Sequence, residues 1–416
     1  MTSRERVRMA LNHNEADRVP IDLGGTCVTT MITTAYNKLR EQIGIQNGFA
    51  RMHNFAEQLG YPEREFMKRF PFLDVVAAGT NFMKSDEDWK EFPLSDGSKC
   101  LIPKFINLEE EENRFLLKDD NDLVLAIKPK DSLYVRQTYW PWKGLTQIPD
   151  DYDIGIIYKN MWATPLPPLH LNVFNEYQYQ LFIKNIKELH ETTDYAISLL
   201  VGCGLFEPAI FIRGLVNLLC DLVNDKKRVK NLFDLYLENH LRFLDRVLQG
   251  VGEHVDILIF SDDMGHNDGP WVSPDTFNEI FKPRYQRMYD FVHENSNCKI
   301  FLHSCGSIME IIPGLIDAGL DILNPVQTNA RNMDPVKLKK EYGKYLTFWG
   351  GGVDTRHVLP AKTPEEVKED VKKRIEILGK DGGFVFAAIH NIQSDCPPEN
   401  IIAMLEAAYE FGFYSN

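Results

Sequence analysis

A chain of 416 residues, 44% apolar and 25% charged, has the balance of a soluble globular protein whose core needs no disulfide staples. Its formal charge of −14, with no long Lys/Arg block, argues against a nucleic-acid backbone or an anionic membrane as partner. No apolar stretch approaches the ~18–20 residues that span a bilayer, and seven scattered cysteines without a CxxC pair read as reduced thiols, not as a disulfide framework or zinc ribbon.

The opening MTSRERVRMALNH reads as an amphipathic helix with a capping box, Thr2 and Glu5, and lacks the apolar run of a secretory signal, so a cytoplasmic protein is expected. Short apolar, β-branched runs then alternate with amphipathic helical stretches. They are 19–23 ending at Gly24-Gly25, 74–78 ending at Gly79, 196–201 ending at Gly202, and 256–260 ending at Ser261-Asp262-Asp263. The remaining four are 299–302 ending at His303-Ser304-Cys305, 321–323 ending at Asn324-Pro325, 346–349 ending at Gly350-Gly351-Gly352, and 383–388 ending at His390. Near-continuous apolar strands separated by helices predict a parallel sheet covered on both faces. Eight of them predict a closed (β/α)8 TIM-type barrel, and the missing GxGxxG turn weighs against an open doubly wound sheet. Helices are expected over 215–250, 364–378 and 398–411. The rhythm breaks between about Met83 and Asn185, where alternating runs at 100–106, 114–118, 123–127 and 132–138 are split by turn signals. This is a β-rich insertion after the second strand of one barrel domain spanning 1–416, with Trp140-Pro141-Trp142 at its exit. It is either a surface excursion or a lid over the barrel mouth.

In such a barrel the chemistry lies at the C-terminal strand ends. The sharpest local feature is His303-Ser304-Cys305-Gly306, where an imidazole and a thiolate at i and i+2 share one face and make half of a tetrahedral zinc site. Alone the pattern is weak, since a buried histidine beside a packed cysteine is the commoner situation. A third ligand must come from another strand end, and His390 and Cys396 compete for it. Asp262 and Asp263, after the fourth strand, offer one functional carboxylate and one structural cap. Glu207 is a further candidate acid, Cys203 reads as core, and His357 as a solvated loop residue. No GxSxG elbow, P-loop or HExxH helix is present, which leaves metal-assisted or acid/base chemistry.

Taken in order, Thr2–Val7, Asp17-Arg18-Val19-Pro20, His303-Ser304-Cys305-Gly306, Asn324-Pro325-Val326-Gln327, Gly350–Thr355 and Pro398-Glu399-Asn400 resemble the uroporphyrinogen decarboxylase superfamily across almost the whole chain. The resemblance implies a distorted (β/α)8 barrel and two chemistries. Metal-free decarboxylases grip a polycarboxylate with arginines after the first strand, whereas residues 21–27 here contain none. The other branch, resembling methylcobamide:coenzyme M methyltransferases, implies zinc on a His-x-Cys pair and a late cysteine. His390 stands at that late position, nine residues before Glu399, so the resemblance implies His303, Cys305 and His390 as ligands, with Cys396 the alternative. The expectation is therefore a zinc-dependent methyltransferase using methylcobalamin or another corrinoid on a partner protein, with Asp262, Asp263 or Glu207 as acid or base. A small-molecule methyl donor or acceptor would be the second substrate, and superfamily relatives suggest a homodimer. A metal-free decarboxylase-like lyase and a non-catalytic tetrapyrrole- or corrinoid-binding barrel are the alternatives.

Overall fold

The computed structural model describes residues 1–78, 86–153, 155–160 and 175–414. Seven parallel strands pair in sequence order: Val75–Ala77, Ala196–Cys203, Ile257–Ser261, Lys299–His303, Ile322–Asn324, Thr347–Trp349 and Phe384–Val385. The eighth position belongs to residues 20–22, which close the ring by backbone hydrogen bonds on both sides. Asp74 N donates to Ile21 O (2.9 Å), Asp22 N to Phe386 O (2.8 Å) and Phe386 N to Pro20 O (2.8 Å). The result is the expected TIM-type barrel, and all eight predicted strands lie where the apolar runs placed them, the first reduced to a bridge between Ile21 and Phe386.

The pleat explains why the runs are apolar throughout. Val75, Ala196, Ile257, Ile259, Phe301, Ile322, Trp349 and Val385 point inward and share one buried cluster. Their neighbours Leu258, Phe260, Ile300, Leu302, Leu323, Phe348 and Phe384 point outward into the cluster formed with the helices. Period-2 alternation with both faces buried leaves no polar face to solvate. Helix Ser3–Leu11, carrying the predicted Thr2/Glu5 capping box, plugs the bottom of the barrel with Val7, Ala10 and Leu11.

The helix expected over 215–250 is two helices, Leu215–Asn224 and Lys226–Val251. Asp225 breaks it: its side chain accepts from Arg228 N (3.2 Å) and starts the second helix as an N-cap. Pro364–Leu378 and Pro398–Phe411 are helices as expected. No helix among the described residues is long and apolar enough to cross a membrane.

Two four-stranded sheets are built, one wholly and one in part, from the chain between the second and third barrel strands. One contains Leu108–Glu110, Arg114–Lys118, Val124–Pro129 and Arg136–Gln137. The other pairs Trp89–Pro93 and Lys99–Pro103 with Arg51–Asn54 and Leu59–Tyr61. These last two strands precede the second barrel strand and are absent from the sequence expectation. Their runs of four and three residues are too short to show a period. Gly79, Met83 and residues 161–174 lie outside the described residues.

The seam is held by a buried carboxylate. Asp74 accepts from Arg6 Nη1 (2.7 Å), from Arg18 Nη1 (2.8 Å) and Nη2 (3.1 Å), and from Ile21 N (2.8 Å), with its side chain fully buried. Removing it takes the carboxylate partner from the buried Arg18 guanidinium, leaves Arg6 with Asp17 alone, and unpairs a seam N–H. Asp74→Ala is therefore expected to lose about 3–5 kcal/mol, read as a lowered urea midpoint. Asp17→Asn, which removes the partly exposed partner of Arg6, is expected to cost less than about 1 kcal/mol. Equal effects of the two substitutions would contradict the assignment.

Candidate metal centre at the barrel mouth

Strand Lys299–His303 delivers the His303 ring to the C-terminal end of the barrel, where the residue is 3% exposed. Two residues on, Gly306 turns the chain at φ 85°, and a Cβ there would lie 2.6 Å from the carbonyl carbon of Gly265. Only glycine allows this approach, and it keeps Cys305 beside His303. Cys305 Sγ lies 3.3 Å from His303 Nε2. Tetrahedral zinc with ~2.05 Å nitrogen and ~2.3 Å sulfur bonds needs about 3.5 Å between such atoms, so this edge is already at coordination spacing.

His390 arrives from beyond the eighth strand. Its backbone is left-handed (φ 62°), uncommon for a residue with a side chain. The flanking loop is pinned by Thr355 Oγ1 donating to Ile389 O (2.5 Å), Ile392 N to Thr30 O (3.1 Å) and Ile32 N to Ile392 O (2.9 Å). The His303 and His390 rings sit edge to face at 5.1 Å, and the ligating atoms of His303, Cys305 and His390 all lie within 4.8 Å of one another. His390 Nδ1 accepts from Asn391 N (2.8 Å), so ligation by this imidazole costs either that hydrogen bond or a proton. Cys396, the alternative third ligand, is excluded from the cluster because its thiol is buried in the outer core, with Asp395 at 3.9 Å as its polar neighbour.

The two aspartates after the fourth strand differ in surroundings. Asp262 is fully buried and accepts from the backbone N–H groups of Leu205 (2.6 Å), Phe206 (2.9 Å) and Glu207 (2.7 Å), and from the Tyr285 hydroxyl. Both of its oxygens are occupied in holding the start of helix Phe206–Arg213, so Asp262 leaves the set of candidate acids. Asp263 faces the cluster: Oδ1 accepts from Cys305 N (2.8 Å) and lies 3.7 Å from His303 Nε2. Glu207, in the first turn of the helix that Asp262 caps, accepts from Ser261 Oγ (2.8 Å).

The ionisable groups around the cluster are acids held toward their neutral forms. Burial pushes the Cys305 thiol well above its usual range, and Asp263, Glu207 and Glu57 push it further. Burial, then Asp263 and Asp262, raise the Glu207 carboxyl well above a normal glutamate. Burial holds His390 down to about 4, reinforced by His303 and opposed by Asp263. A divalent cation at this point would reverse the balance, since a coordinating thiol is deprotonated outright. Glu57 was not anticipated. It lies between strands Arg51–Asn54 and Leu59–Tyr61, and a lone glutamate there carries no motif. His357 is on a solvated loop, as expected, 64% exposed at its side chain and 3.0 Å from Asp354. The side chain of Cys203 is outside the described residues.

The end of the insertion bonds to segments on several sides of the barrel. Tyr134 OH donates to Gln393 Oε1 (2.6 Å), Val135 N to Ala56 O (3.0 Å), Gln137 Nε2 to Phe211 O (2.7 Å) and Trp142 N to Ile212 O (2.9 Å).

Residues 170–411 match the uroporphyrinogen decarboxylase (URO-D) family. Among solved structures, a methyltransferase from Methanosarcina mazei aligns over 99% of each chain at 17% identity with a TM-score of 0.59. A D-psicose 3-epimerase aligns over 59% of this chain and 84% of its own at 12% identity, TM-score 0.34. A search of curated proteins gives no match.

Glu57 generates a prediction. Burial, then Asp263, raise its carboxyl from 4.5 to about 7, against a hydrogen bond from Asn54. The folded state then holds a proton that the unfolded chain releases near 4.5, so stability is full below that value and falls as pH rises to about 7. In EDTA-treated protein, Glu57→Gln is expected to flatten the loss of urea stability between about pH 5 and about pH 8, by at most about 3 kcal/mol. An unchanged slope would rule out the raised carboxyl.

Proposed function

The chain belongs to the uroporphyrinogen decarboxylase family, and from that premise we propose that it is a zinc-dependent methyltransferase. It would move a methyl group between a small methyl donor or thiol and a corrinoid held by a separate protein. The observation that carries this reading is the meeting of two imidazoles and a thiol, all within 4.8 Å, at the open end of the barrel. The donor set fits zinc: nitrogen and sulfur ligands, three in number, leave one position for substrate. At most about 1.3 Å of closure separates this spacing from the ~3.5 Å of a tetrahedral site. The methyltransferase whose fold the chain shares is consistent with this reading. Free thiols at the described cysteines support a reducing, cytoplasmic setting.

The decarboxylase alternative is disfavoured by charge. A polycarboxylate substrate needs cationic side chains, and residues 21–27 supply none. The groups acting on Cys305 are instead Asp263, Glu207 and Glu57.

His303, Cys305 and His390 would hold the metal. Bound zinc supplies Lewis acidity that lowers the pKa of a thiol or polarises a methyl donor. Asp263 fixes the turn carrying Cys305 through its backbone N–H. Glu207, whose carboxyl burial and then Asp263 and Asp262 raise well above a normal glutamate, would give its proton to the heteroatom that loses the methyl group. In the opposite direction the resulting carboxylate takes the proton of an incoming thiol. Ser261 Oγ holds it at 2.8 Å while it does so.

Elemental analysis should find one zinc per chain, lost in His303→Ala and Cys305→Ser. In an anaerobic assay with cob(I)alamin or methylcobalamin against thiols, methylamines and aryl methyl ethers, both variants should lose at least about 100-fold in rate. Glu207→Gln should retain zinc and lose about 100-fold or more in kcat. A fully active preparation without bound metal would overturn the reading.

A further inference from the structure

We propose that Asn324 is a positioning residue that fixes the tautomer of His303, so that Nε2 is the nitrogen presented at the mouth. The inference rests on the zinc reading above for its consequence, but the geometry behind it stands without a metal. Asn324 Oδ1 lies 2.6 Å from His303 Nδ1. The amide cannot be turned round, because its Nδ2 donates to the Trp349 carbonyl (2.8 Å), which can only accept. Oδ1 therefore faces the ring, and an oxygen without a proton requires that Nδ1 carry one. That leaves Nε2 with a bare lone pair, directed to the side where Cys305 Sγ lies at 3.3 Å and Asp263 Oδ1 at 3.7 Å.

Asn324 is itself held without freedom. It ends strand Ile322–Asn324 directly opposite His303 in register, and its carbonyl accepts from Ser304 N (2.8 Å). Asn324 and Trp349 are fully buried. Trp349 packs edge-on against Phe301, two residues before His303, with ring centroids 5.5 Å apart. Its indole Nε1 donates to Asp22 Oδ2 (2.8 Å), and Asp22 Oδ1 accepts from Gly25 N (2.7 Å). One series of buried contacts thus runs from the candidate ligand on the fifth strand, through the sixth and seventh, to the first at the seam.

An amide does this differently from a carboxylate. A carboxylate behind a ligating histidine raises its basicity and pushes electron density to the metal. Asn324 orients the ring and adds no charge, so the cation would keep more of its positive character for substrate. Aspartate at 324 would still accept from Nδ1–H but could not donate to Trp349 O.

Two measurements test this. In EDTA-treated, 15N-histidine-labelled protein near pH 8, long-range 15N–1H correlation should show His303, assigned by its loss in His303→Ala, protonated on Nδ1. Asn324→Ala should shift it toward the Nε2–H form, and Asn324→Asp should restore Nδ1–H. Competition with a chromophoric chelator should show zinc affinity falling about 10–100-fold in Asn324→Ala, with a changed visible spectrum of the Co2+-substituted protein, and a smaller fall in Asn324→Asp. His303 protonated on Nε2 in the wild type would overturn the proposal. So would an Asn324→Ala protein with wild-type tautomer, or one with zinc affinity within twofold of wild type. Wild-type protein that binds no zinc would instead remove the methyltransferase reading, and the tautomer measurement would still decide the role of Asn324.

Discussion

Ring closure is the constraint on which the rest of the structure depends. His303 ends the fifth strand and His390 follows the eighth, far apart in an open sheet. They meet because residues 20–22 join the eighth strand to the second, with Asp22 and Phe386 exchanging backbone bonds on one side and Ile21 and Asp74 on the other. The same seam continues above the barrel, where Ile392 pairs with Thr30 and Ile32 and so fixes the loop that carries His390. The left-handed backbone of His390 is strain of order 1–3 kcal/mol, and it persists because both sides of that loop are tied down.

Closure also decides which acidic residues are spent on the architecture and which are left beside the cluster. Asp74 and Asp262 are both fully buried, and both spend every oxygen on backbone or cationic donors. Asp263 and Glu207 keep part of their acceptor capacity toward the cluster. Neighbouring positions in sequence therefore hold opposite roles, since strand pleating sends Asp262 back into the helix layer and Asp263 over the mouth.

Much of this was legible in the sequence because barrel staves are apolar on both faces and end abruptly in small or polar residues. That pattern located all eight strands, and the His303/Cys305 pair stood out because it fell on such an end. His390 was legible by its place before the last helix. What the sequence could not show was anything depending on pairing across the ring. Asn324 reads as a turn residue before Pro325, and its contact with His303 exists only because adjacent strands are in register. Glu57 was hidden because the short strands around it owe their form to pairing with each other and, through Arg51, with Lys99–Pro103, not to their own periodicity. Asp262 and Asp263 could be read as one cap and one site residue, but not which was which.

The insertion acquires a role from the same geometry. Its exit segment bonds to Ala56, beside Glu57; to Phe211 and Ile212, at the end of the helix that begins with Glu207; and to Gln393, three residues past His390. Each element that brings an ionisable group to the mouth from outside the fourth and fifth strands is thus tied to one strap. The elements it ties carry Glu57 and Glu207, whose carboxyls are raised first by burial and then by the nearby Asp263.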